Sequence, residues 1–261
     1  DLDRAARATA WAGLMNCGQM CTSAERIIVE EAVHDEFVAK LEEAVRRVRV
    51  GSPEEHADMG PMAFPPQIDT VEQHVEDAKK KGAKILVGGE RIDREGQWFQ
   101  PTLITEVTTD MEIWADETFG PVIPVIKARD AEHAIELCND HQYGLSGAIW
   151  TEDRDRGLDL ACRMECGQVM VNDAIQITGN PALPFGGVKN SGIGRYHGDE
   201  GLLTFVHTRA VMVDWGVFKL EPFWFPYRRK YPGFKKAFDA LLKGNIPKAF
   251  VEITKLRKMS K

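Results

Sequence analysis

Cys21 closes the run Asn16-Cys17-Gly18-Gln19-Met20-Cys21 and precedes Thr-Ser-Ala-Glu-Arg and the apolar run Ile27-Ile28-Val29. A cysteine in that setting sits on a turn rather than in a core. The backbone N–H groups of such a turn lower a thiol pKa and make the sulfur a nucleophile. A second stretch, Asp116-Glu117-Thr118-Phe119-Gly120-Pro121-Val122, puts a carboxylate two residues before an aromatic ring in a loop stiffened by Gly-Pro. The carboxylate suits two ribose hydroxyls, and the ring suits the flank of a flat nicotinamide. A third stretch, Pro184 to Arg195, is rich in glycine but fits neither nucleotide pattern. After Gly192-x-Gly194 the next glycine is Gly198, one position too late for the dinucleotide fingerprint, and no Gly-Lys-Ser/Thr occurs. These glycines read as places of close backbone approach around an active site.

The elements that must carry these stretches alternate between helix and strand. Phe37, Leu41, Val45 and Val48 recur at helical spacing, which predicts a helix over 34–49 stopped by Gly51-Ser52-Pro53. Ile68, Val71, Val75 and Ala78 predict a second helix ending near Gly82. Strands are predicted at 84–87, turned by Gly88-Gly89, and at 122–126, where Pro124 marks an irregular ladder position. Asp130 is an N-cap for a helix over 131–139. A strand at 145–150, a helix over 153–165 stopped by Gly167, and a strand at 169–171 follow. This alternation predicts an α/β fold of three layers around an open, mostly parallel sheet. After Val213 the composition shifts. Phe218, Phe223, Trp224, Phe225 and Tyr227 crowd around Pro222 and Pro226, an aromatic extension that packs along a surface. Two short amphipathic helices are predicted near 233–243 and 247–258.

The chain has 261 residues, enough for one large domain or two small ones. Its five cysteines are an odd number without disulfide-scaffold spacing, which points to a reducing compartment and a cytoplasmic location. No apolar run reaches the roughly 18 residues of a membrane span, and Asp1-Leu2-Asp3-Arg4 does not open a signal peptide. The net charge of −7 conceals an asymmetry: residues 228–261 hold 11 Lys/Arg and 2 Asp/Glu. A basic tail on an acidic body docks on that body or on a neighbouring subunit. The sharper reading is peripheral contact with an anionic membrane surface, or nucleic acid.

The first stretch, with Arg26, resembles the N-x-G-Q-x-C-x-x-x-x-R nucleophile motif of the aldehyde dehydrogenase superfamily. The three stretches occur in that family's order and at roughly its separations. Phe99-Gln100-Pro101-Thr102, Asn139 with Tyr143-Gly144-Leu145-Ser146, and Gly167 through Asn172 fit as well. The resemblance covers about residues 1–214. It implies that Cys21 attacks an aldehyde carbonyl and that its backbone N–H donates to the thiohemiacetal oxyanion. Hydride then leaves to NAD or NADP, and water hydrolyses the thioester. Glu117 would hold the nicotinamide ribose, Phe119 would flank the nicotinamide, and Phe185 would line the site near ring and substrate. Met15 stands where members often carry an aromatic. The tail Glu221 to Tyr227 resembles tails of bacterial members that act on succinate semialdehyde or on aryl and aliphatic aldehydes.

The resemblance also sets the expected domain organisation. Residues 1–208 would be the catalytic domain, 209–216 a candidate oligomerisation strand, and 217–261 the aromatic and basic extension. A Rossmann cofactor domain, a general-base glutamate and a second oxyanion donor would precede Cys21 and do not fit in 20 residues. The chain is therefore expected to be the catalytic portion of a homo-oligomeric enzyme, holding only the ring end of the cofactor and inactive alone as a dehydrogenase. The alternative is a non-enzymatic binding or structural module of the same family. A zinc site on Cys17/Cys21 and Cys162/Cys166 is disfavoured by spacing wider than the C-x₂-C knuckle. A Cys/His hydrolase is disfavoured by scattered histidines, and no metal is expected.

Overall fold

A computed structural model describes residues 1–216, 221 and 223–258. The chain divides into two compact units, Asp1–His207 and Thr208–Lys261.

The first unit opens with helix α1, Leu2–Leu14. Asp1 caps it by accepting from the Arg4 N–H at 3.0 Å. No helix is expected here from the sequence, because apart from Leu14 the buried face consists of small residues, Ala5, Ala6, Thr9, Ala10, Ala12 and Gly13. Small side chains let the helix lie close on the sheet. A Cβ on Gly13 would stand 2.7 Å from Ile123 Cγ1.

Strand β1 (Ile27–Glu30) leads into α2 (Glu31–Arg46), which starts three residues earlier than its apolar spacing predicts and buries Phe37, Leu41 and Val45. Helix α3 (Gln67–Lys80), β2 (Lys84–Val87) and β3 (Thr102–Thr105) follow. After the short α4 (Glu112–Ala115) comes β4 (Val122–Ala128). The four strands form a sheet in the order β1-β4-β3-β2, parallel except for the β2–β3 pair.

Strand β4 is the axis of the core. All of it except Lys127 is buried, as are all four residues of β3, so both faces of this sheet are covered. Residues Val122, Ile123 and Pro124 pair with β3, whereas Val125 to Ala128 pair with β1. Pro124, which has no N–H to give, stands where the ladder passes from one neighbour to the other.

Helix α5 (Ala131–Asn139) begins where Asp130 predicts, its carboxylate accepting from the His133 N–H at 2.9 Å. Next come β5 (Tyr143–Gly144), β6 (Ser146–Ile149), α6 (Arg154–Arg163) and β7 (Gln168–Val171), with β6 and β7 paired in parallel. Helix α6 ends at Arg163, two residues earlier than expected, so Gly167 is not its stop. Gly167 instead serves a close approach: a Cβ there would lie 1.6 Å from the Gly186 carbonyl oxygen. Strand β8 (Val188–Lys189) pairs with β5, and α7 (Gly198–Leu203) ends the unit's regular structure.

In the second unit, residues 209–216 make no strand ladder among the described residues, and Val211, Met212, Val213 and Trp215 are exposed. Helices α8 (Tyr231–Leu242) and α9 (Ile246–Lys258) form a hairpin packed through Gly233, Ala237, Ala240, Ala249 and Leu256. A Cβ on Gly233 would meet Leu256 Cδ2 at 2.4 Å. Of the aromatic extension, Phe223 and Tyr227 pack on the Phe234 ring, with centroids 5.9 and 6.0 Å away. Phe218 and Pro222 lie outside the described residues.

Candidate active site

Cys21 is presented by two successive pieces of irregular backbone. Asn16, Cys17 and Gly18 all adopt left-handed φ angles, of 53°, 59° and 69°. Such angles are costly for side-chain-bearing residues and are held here by local bonds. The Asn16 side-chain amide donates to the Gln19 carbonyl at 3.1 Å, and Gln19 Oε1 accepts from the Ala63 N–H at 2.7 Å. A turn closed by Ser23 N–H to Met20 C=O at 2.9 Å then exposes Cys21. Its neighbour Cys17 is buried, donates to the Gly60 carbonyl at 3.0 Å, and is pushed up to about 11 by burial. Cys17 is a packed thiol and Cys21 an open one.

The 116–120 loop touches this turn directly. A Cβ on Gly18 would lie 2.0 Å from the Gly120 carbonyl oxygen, so the two glycines bring backbone against backbone. Thr118 anchors the loop from the other side. Its carbonyl accepts from Gln67 Nε2 at 2.8 Å, and its hydroxyl lies 3.1 Å from His74 Nδ1. His74 is buried on α3, which lowers its pKa and favours the neutral ring.

Cys21 and Glu117 line one cleft of ≈ 600 Å³, together with Glu25, Arg26, His141 and Asn190. Residues of β1 and β6 form its inner walls. Glu117 is exposed at the rim, and partial burial of its carboxyl raises its pKa. Phe119 follows on the same loop, half-buried, with a left-handed φ of 49°. Phe185 is buried, its ring 4.7 Å from that of Tyr196, and it is not among the residues that line this cleft. Its strand-like pairing with Tyr196 (N–H to carbonyl at 2.6 and 2.8 Å) closes the glycine-rich loop. Among the described residues no group of three or more His, Cys, Asp or Glu is placed to hold a metal ion.

Two more cleft residues bear charge: Arg26, the arginine of the nucleophile motif, and Glu25, which no motif singles out. The Arg26 guanidinium lies over the Trp114 ring, 5.5 Å from its centroid, and burial lowers its pKa. Glu25 is pushed up to about 7, chiefly by burial, although it accepts from the Phe119 and Thr118 N–H groups. Both stand in Ser-Ala-Glu-Arg just before β1; for Glu25 a charged pair ahead of an apolar strand is the only sequence signal.

An exposed thiol beside a carboxylate-bearing loop in a half-polar cleft suits covalent capture of a small electrophile. The comparisons agree with that chemistry. The model of the aldehyde dehydrogenase family matches residues 1–211. The 4,4'-diapolycopene aldehyde oxidase of Methylomonas sp is 40% identical over 240 residues, 92% of this chain and 44% of that protein. The vanillin dehydrogenase of Corynebacterium glutamicum is 41% identical over 212 residues, 81% of this chain and 43% of that protein. The chain thus spans less than half the length of these relatives. Among solved structures, the NAD-dependent aldehyde dehydrogenase from Sinorhizobium meliloti superposes with a TM-score of 0.81 at 34% identity. That match covers 86% of this chain and 44% of the other. The Mycobacterium tuberculosis aldehyde dehydrogenase complexed with NAD+ gives 0.78 at 35% identity, covering 83% and 45%. With sequence, fold and cleft in agreement over nearly all of the first unit, this chain belongs to the aldehyde dehydrogenase family.

Proposed function

We propose that this chain supplies the nucleophile and the nicotinamide end of the cofactor site for oxidation of an aldehyde to a carboxylic acid. The observation that carries the reading is the shared cleft of Cys21 and Glu117, on segments that touch at Gly18 and Gly120. In this reading the Cys21 thiolate adds to the aldehyde carbon, and the carbonyl oxygen becomes the oxyanion of a thiohemiacetal. The Cys21 backbone N–H is one donor to that oxyanion. Glu117 holds the ribose hydroxyls next to the ring, and Phe119 flanks the ring. Phe185, fixed against Tyr196, supports the pocket near ring and substrate from behind the glycine-rich loop. The cofactor, NAD or NADP, accepts hydride when bound; water then releases the acid from sulfur.

The residues present fit the ring end of such a cofactor, since an exposed carboxylate and an adjacent aromatic stand on one anchored loop. The whole enzyme is read as a cytoplasmic homo-oligomer acting on a small aldehyde, with 209–216 as its pairing strand. By itself the 261-residue chain is expected to capture aldehydes without turning them over. Mass spectrometry of the chain incubated with an aldehyde and borohydride-free buffer, then with NAD or NADP, tests this. A reversible adduct mapped to Cys21 supports the reading, and an adduct elsewhere, or none, removes it. The non-enzymatic alternative predicts no preference for Cys21 over the other exposed thiol, Cys162.

A further inference from the structure

Glu25 lies four residues after Cys21 and points its carboxyl at the loop that carries Glu117 and Phe119. One oxygen accepts from the Phe119 N–H at 2.6 Å, the other from the Thr118 N–H at 3.3 Å. Phe119 has a left-handed φ of 49°, a conformation a phenylalanine adopts only when something holds it. Gln67 and His74 hold Thr118 through its carbonyl and its hydroxyl. Among the described contacts, Glu25 is what holds the two amides. A carboxylate engaged at both oxygens by backbone is not free to relay a proton from Cys21, so a catalytic-base role does not suit it.

We propose that Glu25 is a positioning residue: its carboxylate clamps the Thr118 and Phe119 amides and so fixes the Glu117–Phe119 loop against the cysteine turn. This rests on the cofactor reading given above for Glu117 and Phe119, and it adds a residue and a control to that site. The clamp is strongest when Glu25 is ionised, because a carboxylate accepts both bonds whereas the protonated acid keeps one good acceptor. Glu117 faces Glu25 across the cleft and opposes its ionisation; Arg26 beside it favours it. Near Arg26, burial pushes the Cys138 and Cys166 thiols up and His141 down, so these are neutral around pH 7. With burial outweighing its bonds, Glu25 titrates in the neutral range, and the loop tightens as pH rises through it.

The test is NMR on the intact 261-residue chain. The amide signals of Thr118 and Phe119 are expected to shift together with the Glu25 side-chain carboxyl carbon, at one midpoint near neutral pH. In Glu25→Gln that step disappears while the fold, followed by the remaining amide pattern, is retained. Nicotinamide mononucleotide is the ligand probe: its affinity is expected to fall roughly tenfold in Glu25→Gln, the worth of one charge-assisted bond, and to rise with pH through the same midpoint in the wild type only. Amides that ignore the Glu25 carboxyl in the wild-type chain would overturn the clamp, whether or not the variant folds. So would unchanged mononucleotide affinity in Glu25→Gln alongside loss in Glu117→Gln. Absence of mononucleotide binding to the wild type instead defeats the cofactor reading, and the amide titration still decides the clamp.

Discussion

Gly18 and Gly120 are in backbone contact, the Gly120 carbonyl oxygen occupying the place where a Gly18 Cβ would stand, 2.0 Å away. Two segments a hundred residues apart in sequence are thereby made into one surface. One bears the thiol and the other the carboxylate. Close backbone contact of this kind is what would hold the parts of a two-part site in register.

Gly120→Ala tests that interlock from its other side. The new Cβ would stand 2.2 Å from Val71 Cγ2, and Val71 is fully buried. Overpacking of this kind costs about 1–3 kcal/mol. The urea midpoint is expected to fall accordingly, with much of the loss recovered in Gly120→Ala/Val71→Ala, because the two sites share the clash. A midpoint equal to wild type in the single variant contradicts the packing described.

Alkylation ranks the five thiols. Cys17 and Cys166 are pushed up to about 11 by burial and Cys138 is raised by the same cause, so all three react slowly at pH 7. Cys21 and Cys162 are both exposed. Iodoacetamide at pH 7 followed by peptide mapping is expected to label Cys21 well ahead of Cys162. Equal rates would mean that exposure alone governs reactivity, and would leave Cys21 without an activated setting.

Glu25 also gives a signed pH dependence of stability. Its carboxyl is raised from 4.5 to about 7, so between those values the folded chain holds a proton that the unfolded chain has released. Stability from this group is complete below about 4.5 and declines as pH climbs toward 7. Glu25→Gln removes the decline. Measured by urea unfolding, the variant's stability relative to wild type is expected to increase with pH across this window, by at most about 3 kcal/mol. A constant offset between the two curves would show that the carboxyl titrates normally. His74 titrates in both proteins and cancels in the difference.

Residues 209–216 bear on association. Val211, Met212 and Val213 are exposed in a stretch without a ladder partner among the described residues, and a strand that pairs from such a stretch would need an edge elsewhere. Light scattering is expected to show self-association of the wild-type chain, reduced in Val211→Lys/Val213→Lys. A monomer at high concentration would remove the pairing role.

Much of this architecture was legible from local signals. Asp130 announced α5, and the apolar run 84–87 with two following glycines bounded β2 as observed. Helix α1 is not legible, because its buried face is built mostly from alanine, threonine and glycine, so its periodicity is carried by small residues rather than by large apolar ones. The end of α6 was misplaced because Gly167 looked like a helix stop, while its reason lies in the Gly186 backbone. In the candidate site, Cys21 and Glu117 are the residues that motif offers and that share one cleft. The bond from the Phe119 amide to Glu25 spans 94 positions and depends on tertiary contact that no local pattern encodes.

The Gly167–Gly186 approach has a consequence for recombining members of this family. A Cβ at 167 would overlap the Gly186 carbonyl at 1.6 Å, so position 167 must stay bare whatever side chain stands at 186. The obstacle is backbone that every residue type carries, so a chimaera with a crossover between 167 and 186 keeps this approach only if the parent supplying position 167 has glycine there. Position 18 faces the Gly120 carbonyl under the same rule. What limits exchange is therefore which parent supplies positions 18 and 167, not where between the paired positions the crossover falls.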